Sequence, residues 1–212
     1  MALPLADIFD LFKKIAKTPD SAPSPITHLI VGLGNPGREY AATRHNVGFD
    51  AVTALADSLG VRIDRAKHSA LTCEACVGGV RALLMLPQTF MNLSGDAVAD
   101  AAAFYKIPPE RILVLCDDIS FVPGRIRIRR SGSHGGHNGL RNIIARLGSD
   151  AFPRIKIGVG QKPEGWDLVD WVLGRLPDAD SALVRERHAD MIDAVSLILK
   201  DRIDDAMMRY SK

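Results

Sequence analysis

The sequence is poor in two features that mark large classes of protein, cysteine and long apolar runs. Its 212 residues include only three cysteines, Cys73, Cys76 and Cys116. This sparse, odd set offers no disulfide framework and indicates a reducing, cytoplasmic location rather than secretion. No apolar run approaches the roughly 20 residues needed to cross a bilayer, which excludes a membrane-spanning helix. The composition, 47% apolar and 25% charged, predicts one ordinary globular domain with a small appendage.

The appendage is residues 1–26, which we predict to be a helical extension and linker ahead of a main domain at residues 27–212. Apolar residues at helical spacing form one stripe, at Leu5, Ile8, Phe9, Leu11, Phe12 and Ile15. A linker rich in Pro, Ser and Ala follows this stripe. A transit peptide is disfavoured because Asp7 and Asp10 are present and no arginine precedes Arg38. The extension is interpreted as a docking helix or a frayed tail.

Strands and helices alternate along the main domain. The predicted strands are Thr27–Val31, Thr72–Val77, Val80–Leu86, Ile112–Cys116, Arg125–Arg130 and Ile155–Val159. The predicted helices are His45–Leu59, Ser94–Tyr105, Leu140–Leu147, Asp178–Lys200 and Arg202–Arg209. We therefore expect a single α/β domain with a twisted, mixed, mostly parallel sheet flanked by helices on both sides.

A histidine and an aspartate are placed to meet at one edge of this sheet. His45 follows the first strand and its glycine-rich turn, and Asp117 and Asp118 directly follow the apolar run Ile112–Cys116. Open α/β sheets build their sites at the carboxyl ends of their strands. A carboxylate that accepts a hydrogen bond from one imidazole nitrogen leaves the other nitrogen to take a proton. The pair is a candidate general base, although an Asp-Asp pair after a strand is also common in turns and helix caps.

The turn Gly32-Leu-Gly-Asn-Pro-Gly37 fits the G-x-G-x-x-G pattern of dinucleotide-binding sites. Two features argue against such a site. Asn35-Pro36 interrupts the turn, and no helix is predicted to begin at Gly37 and direct its N-terminus at a pyrophosphate. The dinucleotide alternative is therefore disfavoured.

The loop His134-Gly-Gly-His137 raises a metal site as a second alternative, with Asp117 and Asp118 as further ligands. Neither histidine lies on a predicted helix or strand, so the pair lacks the rigid spacing of zinc-binding helices. A flexible loop that presents backbone N–H groups fits the glycines better. Cys73 and Cys76 match C-x-x-C, but on a strand they point to opposite faces, which indicates a structural role.

Basic charge is concentrated between Arg125 and Lys156. This segment carries eight basic residues against one acid, while the whole chain has a formal net charge of only +2. Arg125, Arg127 and Arg129 alternate with isoleucines and should share one face of a strand, backed by Arg154 and Lys156. Such a face is typical of phosphate contact, against the alternative of a merely solvated strand.

Four asparagines lie in loops near these sites, at positions 35, 46, 92 and 138. Loop asparagine usually makes turns. Its side chain also offers two donors and an acceptor without net charge, which suits an ester carbonyl or an amide. Together with a histidine and an aspartate, the four asparagines suggest a substrate cradle.

Several motifs resemble those of bacterial-type peptidyl-tRNA hydrolases. They are VGLGNPGREY at residues 31–40, TRHN at 43–46, PQTFMNLSG at 87–95, GSHGGHNGL at 132–140, RIKIGVG at 154–160 and VLG at 172–174. The resemblance is collinear from about Thr27 to the C-terminus. It implies an esterase that releases a peptide from the 3′ end of its tRNA, works as a monomer and needs neither a metal nor an organic cofactor.

The resemblance also implies roles for individual residues. His45 would activate water, Asp117 would support it, and Asn35 would help to distinguish peptidyl from free aminoacyl substrates. Contacts to the peptide and terminal nucleotide would come from Tyr40, Phe90, Met91, Asn92 and Asn138. Contacts of Arg127, Arg129 and Lys156 with the tRNA are predicted from their charge and strand positions, not from the resemblance. Ser120 stands where relatives often carry an acid. The competing hypothesis is an RNA-binding splicing factor without catalysis, because some relatives have that role.

Overall fold

The computed structural model describes residues 24–211. The predicted helix around Leu5–Ile15 lies outside these residues, so it stays a prediction, as does the domain boundary near residue 26. Over the described part of the chain, no helix combines the length and apolarity required to cross a membrane.

Seven strands form one sheet. In chain order they are β1 (His28–Gly32), β2 (Arg65–Lys67), β3 (Ala70–Val77), β4 (Val80–Pro87), β5 (Ile112–Asp118), β6 (Ile126–Arg129) and β7 (Arg154–Gly158). Their order across the sheet is β2-β3-β4-β1-β5-β7-β6. The four central strands are parallel to one another, and both edges are antiparallel. The predicted mixed α/β sheet is confirmed.

Helices cover both faces of the sheet. They are α1 (Val47–Ser58), α2 (Ser94–Tyr105), α3 (Asn138–Leu147), α4 (Leu168–Leu173), α5 (Asp178–Glu186), α6 (His188–Leu199) and α7 (Ile203–Tyr210). Residues of β1 and β5 alternate between two apolar cores, one shared with α1 and α5–α7 and the other with α2 and α3. This period of two is what a strand buried on both faces requires.

Two glycines bring α1 unusually close to the sheet. A Cβ atom on Gly32 would lie 2.4 Å from the carbonyl oxygen of Gly48, and one on Gly48 would lie 2.4 Å from that of Leu115. Helix α1 therefore packs directly on the backbones of β1 and β5. Because His45 precedes α1 and Asp117 ends β5, this close packing sets the separation of the two side chains.

The elements differ from the predicted ones at several points. Strand β5 continues through Asp118, so the two aspartates belong to the strand instead of following it. The predicted helix Asp178–Lys200 is two helices that meet at Arg187. The sequence pattern does not indicate strand β2 or helix α4, because three and six residues are too few to show a period.

We expect Gly48→Ala to destabilise the protein by about 1–3 kcal/mol, since the added methyl must displace backbone atoms of β1 and β5. Helix propensity alone would favour alanine by roughly 1 kcal/mol. A decrease in the free energy of unfolding would therefore show that the close packing of α1 outweighs helix propensity. Denaturant unfolding measures it, with Thr53→Ala on the exposed side of α1 as the control. A Gly48→Ala protein as stable as wild type would contradict the close packing.

Candidate active site

A histidine and an aspartate meet at the carboxyl edge of the sheet, as the sequence predicts. His45 Nδ1 lies 2.7 Å from Asp117 Oδ1, and both side chains are buried. His45 belongs to a short 3₁₀ turn, Arg44–Asn46, that leads into α1. A carboxylate can only accept, so His45 Nδ1 donates the hydrogen bond. Its Nε2 makes no hydrogen bond to the described residues and is left as the acceptor.

A second histidine, His137, donates to the same oxygen atom. Its Nε2 lies 3.0 Å from Asp117 Oδ1, and the two imidazole rings are 4.8 Å apart between centroids. His137 also caps α3, because its Nδ1 accepts from the backbone N–H of Leu140 at 3.4 Å. This cap places the proton on Nε2. The hydrogen bond at Nδ1 thus fixes the tautomer of each histidine, with the proton on Nδ1 in His45 and on Nε2 in His137.

Asp117 is ionised in this arrangement. Burial on its own would raise the pKa of the carboxyl. The charges and hydrogen bonds of His45 and His137 outweigh that effect and hold the pKa well below its ordinary value. Asp117 therefore remains an anionic acceptor throughout the neutral pH range.

A cavity of about 170 Å³ opens beside the pair. His45, Asp117, His137, Asn138 and Lys156 are among the residues that line it. Helix α4 gives the cavity an apolar wall through Leu168, Val169 and Val172. The cavity combines one unpaired imidazole nitrogen with an apolar wall.

Asn35 does not line the cavity, but hydrogen bonds to Asn46, the neighbour of His45, hold it in a fixed orientation. Its side-chain Oδ1 accepts from the backbone N–H of Met91 at 2.7 Å, which leaves its Nδ2 without a partner among the described residues. Asn46 holds the backbone of Asn35 on both sides, accepting from its N–H at 2.9 Å and donating to its carbonyl at 3.0 Å. The Nδ2 of Asn35 is therefore free to donate to a ligand, and Asn46 has a supporting role.

The remaining predicted substrate contacts form a second group on the Met91 side of Asn35. Tyr40 and Phe90 pack edge to face with ring centroids 6.5 Å apart, and Phe90 is 57% exposed. Asn92 is exposed in the short 3₁₀ turn Met91–Leu93. None of these residues lines the cavity at His45.

Asp118 and Lys156 form an ion pair on the other face of the sheet from Asp117. Lys156 Nζ lies 2.7 Å from Asp118 Oδ2, and Asp118 Oδ1 accepts from the backbone N–H of Ser120 at 2.8 Å. Burial would raise the pKa of Asp118, but these donors lower it overall. Lys156 therefore reaches the cavity with its charge already balanced.

Comparison with known proteins identifies the family of this chain. The family model described as peptidyl-tRNA hydrolase matches residues 29–212. The chain belongs to the peptidyl-tRNA hydrolase family. A peptidyl-tRNA hydrolase of Lachnoclostridium phytofermentans is 51% identical over 87% of this chain and 97% of its own length. One from Agathobacter rectalis is 50% identical over 87% of this chain and its full length.

A solved peptidyl-tRNA hydrolase has the same fold. The crystal structure of the Acinetobacter baumannii enzyme superposes with a TM-score of 0.83 at 38% identity. The match covers 87% of this chain and 94% of that one. Peptidyl-tRNA hydrolase family membership thus rests on sequence and on structure.

The glycines of the peptidyl-tRNA hydrolase signature at 32–37 serve packing. No helix begins at Gly37; the next α-helix, α1, starts ten residues later at Val47. A Cβ on Gly34 would lie 2.6 Å from the ring of Phe49, so this glycine admits a side chain of α1. The loop therefore lacks the helix N-terminus on which a pyrophosphate would rest.

Three ligand atoms within 4.8 Å of one another belong to His45, Asp117 and His137. They are the one group in residues 24–211 that satisfies this criterion for metal binding. His134 and Asp118, the other ligands that the sequence suggests, are not in it. A metal ion would have to replace the two hydrogen bonds that Asp117 Oδ1 accepts.

The arginine face is partly as predicted. Arg127 and Arg129 point away from the buried Ile126 and Ile128, and Arg129 is exposed. The expectation that Arg154 backs this face as a phosphate contact is wrong. Arg154 is 1% exposed, and its guanidinium donates to the carbonyls of the 132–133 loop and of Asp150 and Phe152.

Three features of this site are not indicated by the sequence pattern. The sequence suggests His137 only as a metal ligand, although a histidine just before a helix start is a candidate cap. Arg44, beside His45, is buried and contacts α4. The pairing of Lys156 with Asp118 depends on strand register, because Lys156 on β7 lies level with Cys116, two residues before Asp118 on the same face of β5.

We expect Arg154→Ala to lower the free energy of unfolding by roughly 3 kcal/mol or more, because the substitution leaves a cavity at a buried side chain and removes its hydrogen bonds to four carbonyls. Arg129→Ala, on the exposed side of β6, should change it by less than about 0.5 kcal/mol. Denaturant unfolding of the two variants separates a structural arginine from a surface one. Equal stability of both variants would argue against the structural role of Arg154.

Proposed function

We propose that this chain hydrolyses the ester between a peptide and the 3′ end of its tRNA. The observation that carries the proposal is the hydrogen bond of 2.7 Å from His45 Nδ1 to Asp117, beside a cavity in a chain of the peptidyl-tRNA hydrolase family. The chemistry calls for neither a metal nor an organic cofactor. The proposal includes action as a cytoplasmic monomer.

His45 acts as the general base. Its Nε2 takes a proton from water, and the resulting hydroxide oxygen bonds to the acyl carbon of the ester. The tetrahedral intermediate then releases the ribose 3′ oxygen, which takes the proton back from Nε2. Asp117 stabilises the imidazolium that forms between the two steps. General-base catalysis of this kind raises the rate by a factor on the order of 10²–10⁴. His137 holds the carboxylate in place.

Asn35 selects substrates whose amino group is acylated. Its Oδ1 is held by the backbone N–H of Met91, and its Nδ2 is the group left to donate to a substrate. A peptidyl substrate offers a carbonyl oxygen to accept from them. A free aminoacyl ester offers an ammonium group instead, which is itself a donor and would leave two donors facing each other.

The other predicted substrate residues hold the two ends of the substrate. Asn138 lines the cavity and contacts the terminal nucleotide or the first peptide unit. Tyr40, Phe90 and Asn92 form the path for the rest of the peptide, where exposed aromatic surface favours apolar and stacking contacts. Met91 is 4% exposed and supports this path from the core.

Phosphates of the tRNA bind at Arg127 and Arg129. Neither arginine has a carboxylate partner among the described residues, whereas Arg130 is paired with Asp204. Lys156, already paired with Asp118, contributes to the edge of the cavity. A non-catalytic RNA-binding role would use the same arginines, but it gives no reason for a buried aspartate that orients an imidazole.

We expect His45→Ala to reduce kcat by about 10²–10⁴, because the general base is removed. Release of peptide from a short peptidyl-tRNA measures this. His188→Ala, which changes a histidine at the start of α6, is the control and should be as active as wild type.

The comparison of His45→Ala with wild type also separates the two candidate functions. Equal rates for His45→Ala and wild type would exclude the catalytic assignment and leave the RNA-binding alternative.

We expect Arg127→Ala and Arg129→Ala to weaken tRNA binding with little effect on a minimal substrate that lacks the tRNA body. Removing one arginine–phosphate interaction should flatten the dependence of log affinity on log salt by about 0.9. Arg62→Ala is the matched control, because Arg62 is exposed near β2, at the opposite edge of the sheet. A slope that is the same in all variants would place the RNA elsewhere.

A further inference from the structure

The apolar wall of the cavity depends on a helix with few internal supports. Helix α4 has only six residues, and isolated helices of that length are unstable in water. Its first turn is capped by Asp167, whose Oδ1 accepts from the N–H groups of Val169 and Asp170. Along the helix, Val172 alone is buried. The wall therefore needs a contact from outside the helix to hold its position.

Arg44 provides that contact at the C-terminal end of α4. Its Nη1 donates to the carbonyl of Trp171 at 3.3 Å and to that of Arg175 at 3.0 Å. Its guanidinium carbon lies 3.6 Å from the centroid of the Trp171 ring. A cation at the carbonyl end of a helix is favourable, and so is a guanidinium stacked on an indole.

Burial of the Arg44 side chain costs free energy of folding. It is 7% exposed, its Nε has no hydrogen-bond partner, and no salt bridge to it is formed within the described residues. Burial lowers its pKa, and the charge of Asp180 offsets this only in part. A buried cation that has only carbonyls and a ring as partners is retained at a cost in stability.

The backbone next to Arg44 is held independently of its side chain. Thr43 and Arg175 form an antiparallel bridge, Arg44 N–H donates to the carbonyl of Gly174 at 3.1 Å, and Leu176 N–H donates to that of Ala42 at 2.9 Å. Removing the guanidinium leaves these bonds in place. The contact that is lost is the one between the 3₁₀ turn Arg44–Asn46 and the ring of Trp171.

Arg44 and His45 are neighbours in one buried 3₁₀ turn. The turn that carries the proposed base therefore also carries the guanidinium that holds α4, and with it the apolar wall of the cavity. We propose that Arg44 is a positioning residue: it fixes α4 relative to His45 and so sets the width of the cavity that receives the acyl part of an RNA-linked ester. This inference rests on the proposed function of the cavity. It assigns Leu168, Val169 and Val172 to binding of the acyl group.

The test compares Arg44→Ala, Arg44→Lys and Arg175→Ala. Arg175 is the matched control because its side chain is 69% exposed and pairs with Asp178, away from α4. In Arg44→Ala, we expect KM for a short peptidyl-tRNA to rise about tenfold and kcat to fall less than about threefold, as expected for weakened binding with an intact base. Arg44→Lys keeps the charge but not the planar stack, so its KM should be intermediate.

Tryptophan fluorescence gives a readout that a general loss of stability would not imitate. The chain has two tryptophans, Trp166 and Trp171, so Trp166→Phe isolates the one that contacts Arg44. In that background, acrylamide quenching of Trp171 should increase about twofold in Arg44→Ala, since the guanidinium no longer covers the ring. Arg175→Ala should leave quenching and KM unchanged.

Unchanged KM and unchanged quenching in a folded Arg44→Ala protein would overturn the proposal. If that variant does not fold, Trp171→Leu removes the other half of the stack, and a KM equal to that of wild type would overturn it equally. The quenching result is independent of catalysis. A protein without esterase activity would therefore refute the proposed function, while quenching would still measure the contact between Arg44 and Trp171.

Discussion

The site depends on one buried oxygen atom, Asp117 Oδ1, which accepts hydrogen bonds from two imidazoles. Its donors come from different parts of the chain, the turn before α1 and the loop before α3. The carboxylate thus joins three elements as well as orienting the base. Because its pKa is lower in the folded than in the unfolded protein, it stabilises the fold above about pH 4, and this contribution is lost as the pH falls further.

Strand geometry divides the chemistry between the two faces of the sheet. Asp117 and Asp118 are consecutive on β5, so they point to opposite faces. Asp117 faces the histidines, whereas Asp118 faces Lys156. One face therefore holds the proton-transfer group, and the other holds a neutralised lysine next to the arginines of β6. The uncompensated positive charge lies at the edge of the sheet and not at the reacting centre.

Much of this could be predicted from the sequence because it depends on local pattern and strand ends. The bounds of α2 and the pairing of His45 with Asp117 needed only periodicity and the rule that parallel strands end at one edge. Arg154 could not be predicted. Its place in a basic segment suggests a surface, and only the 132–133 loop folded over it makes it buried. The tautomer of His137 likewise depends on a cap that forms only when α3 starts at Asn138.

Hydrogen bonds fix the direction of three polar side chains at or near the proposed reacting centre, and backbone groups supply most of these bonds. Asn46 holds the main chain of Asn35, and Met91 holds the Asn35 oxygen, which leaves Nδ2 free to donate. Leu140 occupies Nδ1 of His137, so only Nε2 can reach Asp117. His45 then has one free nitrogen, and it is an acceptor. Because these side chains are already oriented, the site needs little reorganisation when substrate arrives. Such preorganisation favours an ester hydrolysis in which water, and not a side chain of the protein, is the nucleophile.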